Sequence, residues 1–338
     1  MSIRSKRKEE HLALAQMFFD KNKINSFDQM HLLRPTLPES IVDRNSISTT
    51  MFNKTVAAPF FINAMTGGSG KSKQINRALA HIAQKYNIAM ALGSASILEK
   101  EPDQLPSFFI ARENNPEGII IANVNPLTSS EATAKIVKEI QADALQIHLN
   151  VVQEAAMPEG DRNFKWLDKI IEIRQAVDVP IIIKEVGFGF DDASIKLLQK
   201  NDFSLIDIAG SGGTNFAQIE NSRNNHDVSF LEDLGLPTVV SALMAEKTDI
   251  DFIVSGGVRN PLDVIKGLAL GAKYVGVSNF FLQTYLENGE TGLSETINNW
   301  INDIALLMAV YGAKSIPDLQ KVKRYYDLNL KNKLDQLL

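Results

Sequence analysis

From residue 59 onward the chain repeats one theme eight times: a short apolar run, a glycine-rich or polar turn, and a segment of helical periodicity. The runs are 59–63 (PFFIN), 88–92 (IAMAL), 118–124 (GIIIANV), 144–149 (ALQIHL), 180–184 (PIIIK), 205–208 (LIDI), 251–254 (DFIV) and 274–277 (YVGV). Helical segments follow near 72–86, 105–114, 129–141, 166–177, 191–200, 237–247, 261–270 and 280–287, the fourth and sixth after insertions. Short apolar runs without in-and-out alternation are strands buried on both faces, which implies parallel pairing beneath a cover of helices. Eight such units in about 230 residues predict a (β/α)8 TIM barrel. A doubly wound open sheet is the alternative reading of the same pattern. The barrel is expected at 56–290 of a single domain spanning 1–338, with 1–55 as an N-terminal arm covering the barrel mouth and 291–338 as a C-terminal helical extension.

With 44% hydrophobic and 22% charged residues, the 338-residue chain can bury a full core. A net charge of −5 argues against a dedicated nucleic-acid surface and leaves room only for a local anion site. The absence of cysteine excludes disulfides, thiolate nucleophiles and zinc-thiolate centres, and fits a reducing compartment. The first eleven residues are basic but lack the apolar core of a signal peptide, and no run approaches the roughly 18 apolar residues of a membrane span. The expectation is a cytoplasmic protein without membrane partners.

A barrel gathers the C-terminal ends of its strands on one face. Those ends read Asn63-Ala64-Met65-Thr66-Gly67-Gly68, Gly93-Ser94, Asn123, His148 and Asn150, Lys184-Glu185, 209–214 (AGSGGT), Ser255-Gly256-Gly257-Val258-Arg259 and Ser278-Asn279. Any one of them is an ordinary turn or helix cap. Together they carry more polar groups than stability requires. Ser255–Arg259 before the helix at Pro261 has the makings of an anion cradle: glycines for close approach of the main chain, a helix N-terminus, and a forked donor in Arg259. Ser278-Asn279 opens the next helix, and in barrels the last two loops commonly share a phosphate site. Lys184 ends an otherwise apolar strand, where an ammonium needs a ligand or partner, and Glu185 points to the opposite face. Residues 65–72 (MTGGSGKS) imitate a P-loop, but Met65 stands where that pattern demands glycine. Near the N-terminus Arg4, Lys6, Arg7 and Lys8 form either a frayed charged end or an arm that carries cations to a diphosphate. Glu154, in the insertion after the fourth strand, is a candidate Mg²⁺ ligand, since that ion is often held by one carboxylate plus phosphate oxygens and waters.

Taken in order, Arg7-Lys8-x-x-His11, Ala64-Met65-Thr66-Gly67-Gly68, His148-x-Asn150-x-x-Gln153-Glu154, 157–162 (MPEGDR), 184–189 (KEVGFG), 212–220 (GGTNFAQIE) and Ser255-Gly256-Gly257-x-Arg259 resemble the type 2 isopentenyl-diphosphate isomerases, FMN-dependent enzymes of isoprenoid biosynthesis. The glycine motifs recur in other FMN barrels, whereas the Arg-Lys arm and the His-x-Asn-x-x-Gln-Glu segment are specific. The resemblance implies an FMN-binding barrel in which Met65, Thr66, Gly67, Ser94, Asn123, Lys184 and Thr214 contact flavin and Gly257, Val258, Arg259, Ser278 and Asn279 hold its phosphate. It implies that Arg7, Lys8, His11, His148, Asn150 and Gln153 line the substrate and that Glu154 holds Mg²⁺. It also implies catalytic parts for Gln153, His148 and Lys184, NAD(P)H as reductant, and a homo-oligomer of four or more subunits. Gln153 is no strong base, and its implied part is the least defined. Many members carry Gly-Ser-x-Arg after the second strand; here 93–96 (GSAS) lacks the arginine, so diphosphate binding is expected to rest more on the arm.

The reaction so implied is interconversion of isopentenyl and dimethylallyl diphosphate on reduced FMN. A flavin oxidoreductase of the hydroxy-acid oxidase type on the same barrel is the alternative, although that chemistry presents a His/Arg pair where this chain sets His148 beside Gln153 and Glu154. A non-enzymatic flavin- or phosphate-binding protein is a third reading, poorly matched to the crowded loop after His148.

Overall fold

The apolar runs become the staves of a closed barrel. The computed structural model describes residues 3–338, with side chains from residue 7 onward. Barrel strands are β1 (Phe60–Ile62), β2 (Met90–Ala91), β3 (Ile120–Val124), β4 (Ala144–His148), β5 (Ile181–Lys184), β6 (Leu205–Asp207), β7 (Asp251–Val254) and β8 (Tyr274–Val277). They are hydrogen-bonded in sequence order and close on themselves, which decides for the barrel over an open sheet. Every residue of β1 and β3 is buried, as two-sided burial demands. Helices follow at Gly70–Tyr86, Pro106–Asn114, Ser130–Ile140, Leu167–Ala176, Asp192–Lys200, Thr238–Glu246, Pro261–Ala269 and Asn279–Tyr311. Four of them start where Ser69, Ser129, Asp191 and Asn260 accept main-chain N–H groups of the first turn. The eighth of these helices is broken at Gly289, whose φ of 67° lies outside the helical region. No helix among the described residues is long and apolar enough to cross a membrane.

Close contacts divide the chain into two compact units. The first comprises residues 3–19, 62–186 and 214–234, and the second 20–61, 187–213 and 235–338. In the second unit Phe60, Phe281 and Trp300 form an aromatic core, with ring centroids 4.9–6.0 Å apart. The flanking regions are more structured than their weak periodicity suggests. The arm holds a helix, Ile3–Met17, and three strands of three residues each: Met30–Leu32, Thr49–Met51 and Lys54–Val56. The C-terminal extension is not purely helical: Arg324–Tyr326 is a strand that pairs antiparallel with Met30–Leu32. Strands this short display no alternation, and a partner almost 300 residues away gives no local signal.

Candidate active site

In the first unit a ladder of side-chain amides crosses the barrel interior. The Ala64 N–H donates to Asn63 Oδ1 (2.8 Å), which also accepts from Gln146 Nε2 (3.0 Å). Gln146 Oε1 then accepts from Asn123 Nδ2 (3.0 Å), and Asn123 Oδ1 lies 2.7 Å from His148 Nδ1. A main-chain N–H can only donate, so it fixes the polarity of every amide above it. Asn123 must therefore accept, His148 carries its proton on Nδ1, and Nε2 holds the ring's lone pair. Burial lowers the His148 pKa to about 4, helped by the charges of Lys184 and Lys8, so the ring is neutral near pH 7. Gln146 was not expected in this role. It sits two residues before His148 in an otherwise apolar strand, hence on the same face, and that spacing was the available signal.

The loop after β4 is organised around two acids. Glu154 is buried; its carboxylate accepts from Asn150 Nδ2 (3.0 Å) and the Asp161 N–H (2.9 Å). Arg162 braces the same turn by donating to the carbonyls of Glu154 and Met157. Gln153 Nε2 donates to Glu220 Oε1 at 2.8 Å. Glu220 is fully enclosed; its other neighbours are Arg223, which donates to it, and His11 Nε2 at 2.9 Å but out of line for a hydrogen bond. Burial alone would raise the Glu220 pKa, but contacts with His11, Gln153 and Arg223 outweigh it and hold the carboxyl below its usual range. No local pattern marks Glu220, because its helix, Phe216–Arg223, shows no apolar face to signal an inward acid.

The helix Ile3–Met17 brings the arm to these loops. Arg7 Nη1 pairs with Glu159 (3.2 Å), Lys8 Nζ donates to the Ser94 carbonyl (2.6 Å), and Arg223 links Glu10 to Glu159. Arg4 and Lys6 have side chains outside the described residues. Ser96 is absorbed in a hydroxyl cluster with Ser94, Thr128 and the Asn125 N–H. Lys184 is buried, and its Nζ donates to the main-chain carbonyl of Glu185 at 2.9 Å. The loop imitating a P-loop spends its groups internally: the Gly68 N–H goes to Ser107 Oγ, and Ser69 caps the following helix.

The turn expected to act as an anion cradle lies in the second unit. Gly256 and Gly257 both have positive φ, 93° and 85°, which a side chain would disfavour. Arg259, expected as a phosphate donor, is directed elsewhere: Nη2 pairs with Asp28 (2.7 Å), Nη1 donates to the Lys23 carbonyl (2.8 Å) and Nε faces Asp263 (3.4 Å). Ser278 precedes its helix without capping it by a side-chain hydrogen bond.

Residues 123–324 match the FMN-dependent dehydrogenase family. The isopentenyl-diphosphate delta-isomerase of Limosilactobacillus reuteri subsp. reuteri is 43% identical over 331 residues, covering 95% of this chain and 94% of its own. That of Latilactobacillus sakei subsp. sakei is 41% identical over 338 residues, covering 99% and 97%. The chain belongs to the type 2 isopentenyl-diphosphate delta-isomerase family. Among solved structures, a mandelate oxidase bound to 3,3-difluoro-2-hydroxy-3-phenylpropionic acid has a TM-score of 0.65 at 14% identity, over 94% of this chain and 91% of that one. A flavocytochrome b2 variant has a TM-score of 0.64 at 18% identity, over 96% and 88%. These likenesses show a shared barrel fold.

FMN, the cofactor of this isomerase family, suits the donor sets present. The first unit offers the buried ammonium of Lys184, the amide of Asn123, and Ser94 and Thr214, both only partly buried. Thr66 Oγ1 donates to Asn76 Oδ1 at 2.7 Å, so Met65-Thr66-Gly67 presents chiefly main chain. The second unit offers the glycine turn and the helix start after Ser278. For Mg²⁺ the protein supplies less: among the described residues no three acidic, histidine or cysteine groups cluster as a metal site. Glu154, the residue expected to hold that ion, has one carboxylate oxygen accepting from Asn150 Nδ2 and the other from the Asp161 N–H.

Proposed function

We propose that the chain interconverts isopentenyl and dimethylallyl diphosphate, using reduced FMN and Mg²⁺. The observation that carries the reading is the Gln153–Glu220 hydrogen bond, in a unit that also holds neutral His148 and hydrogen-bonded Glu154, within a member of the isomerase family. The reaction adds a proton at the terminal alkene carbon and removes one from C2, with no net redox change. Reduced FMN, when bound, supplies the proton-transfer chemistry at the alkene. The protein's share is placement and charge. Lys184 would help hold the bound flavin and would supply a positive charge there, its effect heightened by burial. Glu220 holds the Gln153 amide in one orientation, and neutral His148 offers an acceptor at Nε2. Arg7, Lys8, His11 and Asn150 bind the diphosphate, with Glu154 on its Mg²⁺; Arg7 must then leave Glu159 for substrate. NAD(P)H is the proposed source of electrons, and the working form is a cytoplasmic homo-oligomer.

The test is incubation of the purified protein with isopentenyl diphosphate, Mg²⁺ and chemically reduced FMN. Dimethylallyl diphosphate is the expected product. Its absence, with a protein that takes up FMN, would leave the oxidoreductase reading instead.

A further inference from the structure

A turn that presents main-chain N–H groups to a phosphate must be held in shape by something other than the phosphate. In the second unit that support comes from Asn25. Its Oδ1 accepts from the Phe27 N–H (2.9 Å), which fixes the amide, and its Nδ2 donates to the Gly257 carbonyl (2.9 Å). The Gly257–Val258 peptide is trans, so its carbonyl and its N–H point to opposite sides. With the carbonyl drawn to Asn25, the Val258 N–H faces away from it, and it has no hydrogen-bond partner among the described residues. Asn25 is also wedged against both glycine loops: a Cβ at Gly212 would meet its Cβ at 3.0 Å, and one at Gly257 its Nδ2 at 2.8 Å.

The segment around Asn25 is tied down at every turn. The Asn25 N–H donates to Asp28 Oδ2 (2.8 Å), Asp28 Oδ1 accepts from Arg259 Nη2, and Arg259 Nη1 reaches the Lys23 carbonyl. Lys266 Nζ donates to the Phe27 carbonyl at 2.7 Å. Arg259 thus spends its fork on the brace.

We infer that residues 23–28, acting through Asn25, are a positioning element for the flavin phosphate, and that Arg259 anchors this brace instead of ligating the phosphate with its guanidinium. The inference rests on the FMN reading. It makes the arm part of the cofactor site as well as of the substrate side.

The experiment titrates flavin-free full-length protein with FMN and with riboflavin, which lacks the phosphate, following flavin fluorescence. Wild-type protein that binds neither flavin sinks the FMN reading itself. Given wild-type preference for FMN, Asn25→Ala is expected to weaken FMN by about tenfold or more, the scale of one lost hydrogen bond, with riboflavin changed less than about twofold. Unchanged FMN affinity, or equal loss for both flavins, overturns the inference. Asp28→Asn gives an independent answer should Asn25→Ala not fold. A brace predicts weaker FMN binding in it, whereas a guanidinium acting directly on phosphate, now released from Asp28, predicts unchanged or tighter binding and refutes the proposal.

Discussion

The side-chain amide of Gln153 donates to Glu220 across 67 residues of sequence, and the acid it meets is fully enclosed. The contact gives a flexible amide a single orientation: nitrogen to Glu220, oxygen toward Asn150 Nδ2 at 3.5 Å. Glu220→Gln keeps the shape but lets the amide turn and strips charge from beside Arg223. Turnover of isopentenyl diphosphate is expected to fall about a hundredfold, as for other small misplacements at a reacting centre. Stability should drop by roughly 3 kcal/mol, since an arginine loses its buried partner. Steady-state kinetics beside urea unfolding checks both, and wild-type turnover in this variant would remove Glu220 from the site.

His148 makes folding sensitive to mild acid. Its folded pKa is about 4 against an ordinary 6.5, so below pH 6.5 the unfolded chain binds a proton that the folded one refuses. Stability from this residue is complete above pH 6.5 and declines as pH falls toward 4, by on the order of 1–3 kcal/mol. Unfolding midpoints between pH 7 and 4.5 should show that slope in the wild type and a shallower one in His148→Gln. Parallel slopes would mean that the ring is not held neutral.

Glu154 joins the loop to the proposed ion. Glu154→Gln turns an N–H₂ toward one of the two donors the carboxylate now accepts, Asn150 Nδ2 or the Asp161 N–H. A loss of about 1–3 kcal/mol in stability is expected from the mismatched group. Stimulation by Mg²⁺ should disappear along with most activity. A variant that keeps the wild-type response in a Mg²⁺ titration would place the ion elsewhere.

Gly67 lies against an aromatic wall. A Cβ there would fall 2.0 Å from the Phe108 ring, which is wholly buried. Gly67→Ala should therefore cost about 1–3 kcal/mol, the range for overpacking, and thermal unfolding measures it. Gly67→Ala combined with Phe108→Leu should recover part of that loss, because the clash is with the ring edge.

The eight strands were legible because two-sided burial writes itself as uninterrupted apolar residues, and β7 and β8 fall on 251–254 and 274–277 without a shift. Helix starts were legible where a cap is a local chemical fact, as at Ser129 and Asp191. The strand Met30–Leu32 was not, because its partner Arg324–Tyr326 comes from the far end of the chain. Among site residues, the strand ends could be named from the barrel rule, but their directions could not. Arg259 illustrates the difference: the sequence makes it a forked donor beside two glycines, and the folded chain turns that fork to Asp28.

Sequence alone thus determined the kind of barrel, the face on which its polar ends gather, and the family to which its spaced motifs belong. All of these depend on order and periodicity along the chain. Tertiary structure decided which groups meet: Gln153 with Glu220, Asn25 with Gly257, His148 with a proton on Nδ1 because an amide ladder begins at the Ala64 N–H. Hydrogen bonding and charge depend on separations of a few ångströms between residues tens to hundreds of positions apart, and no local pattern encodes those separations.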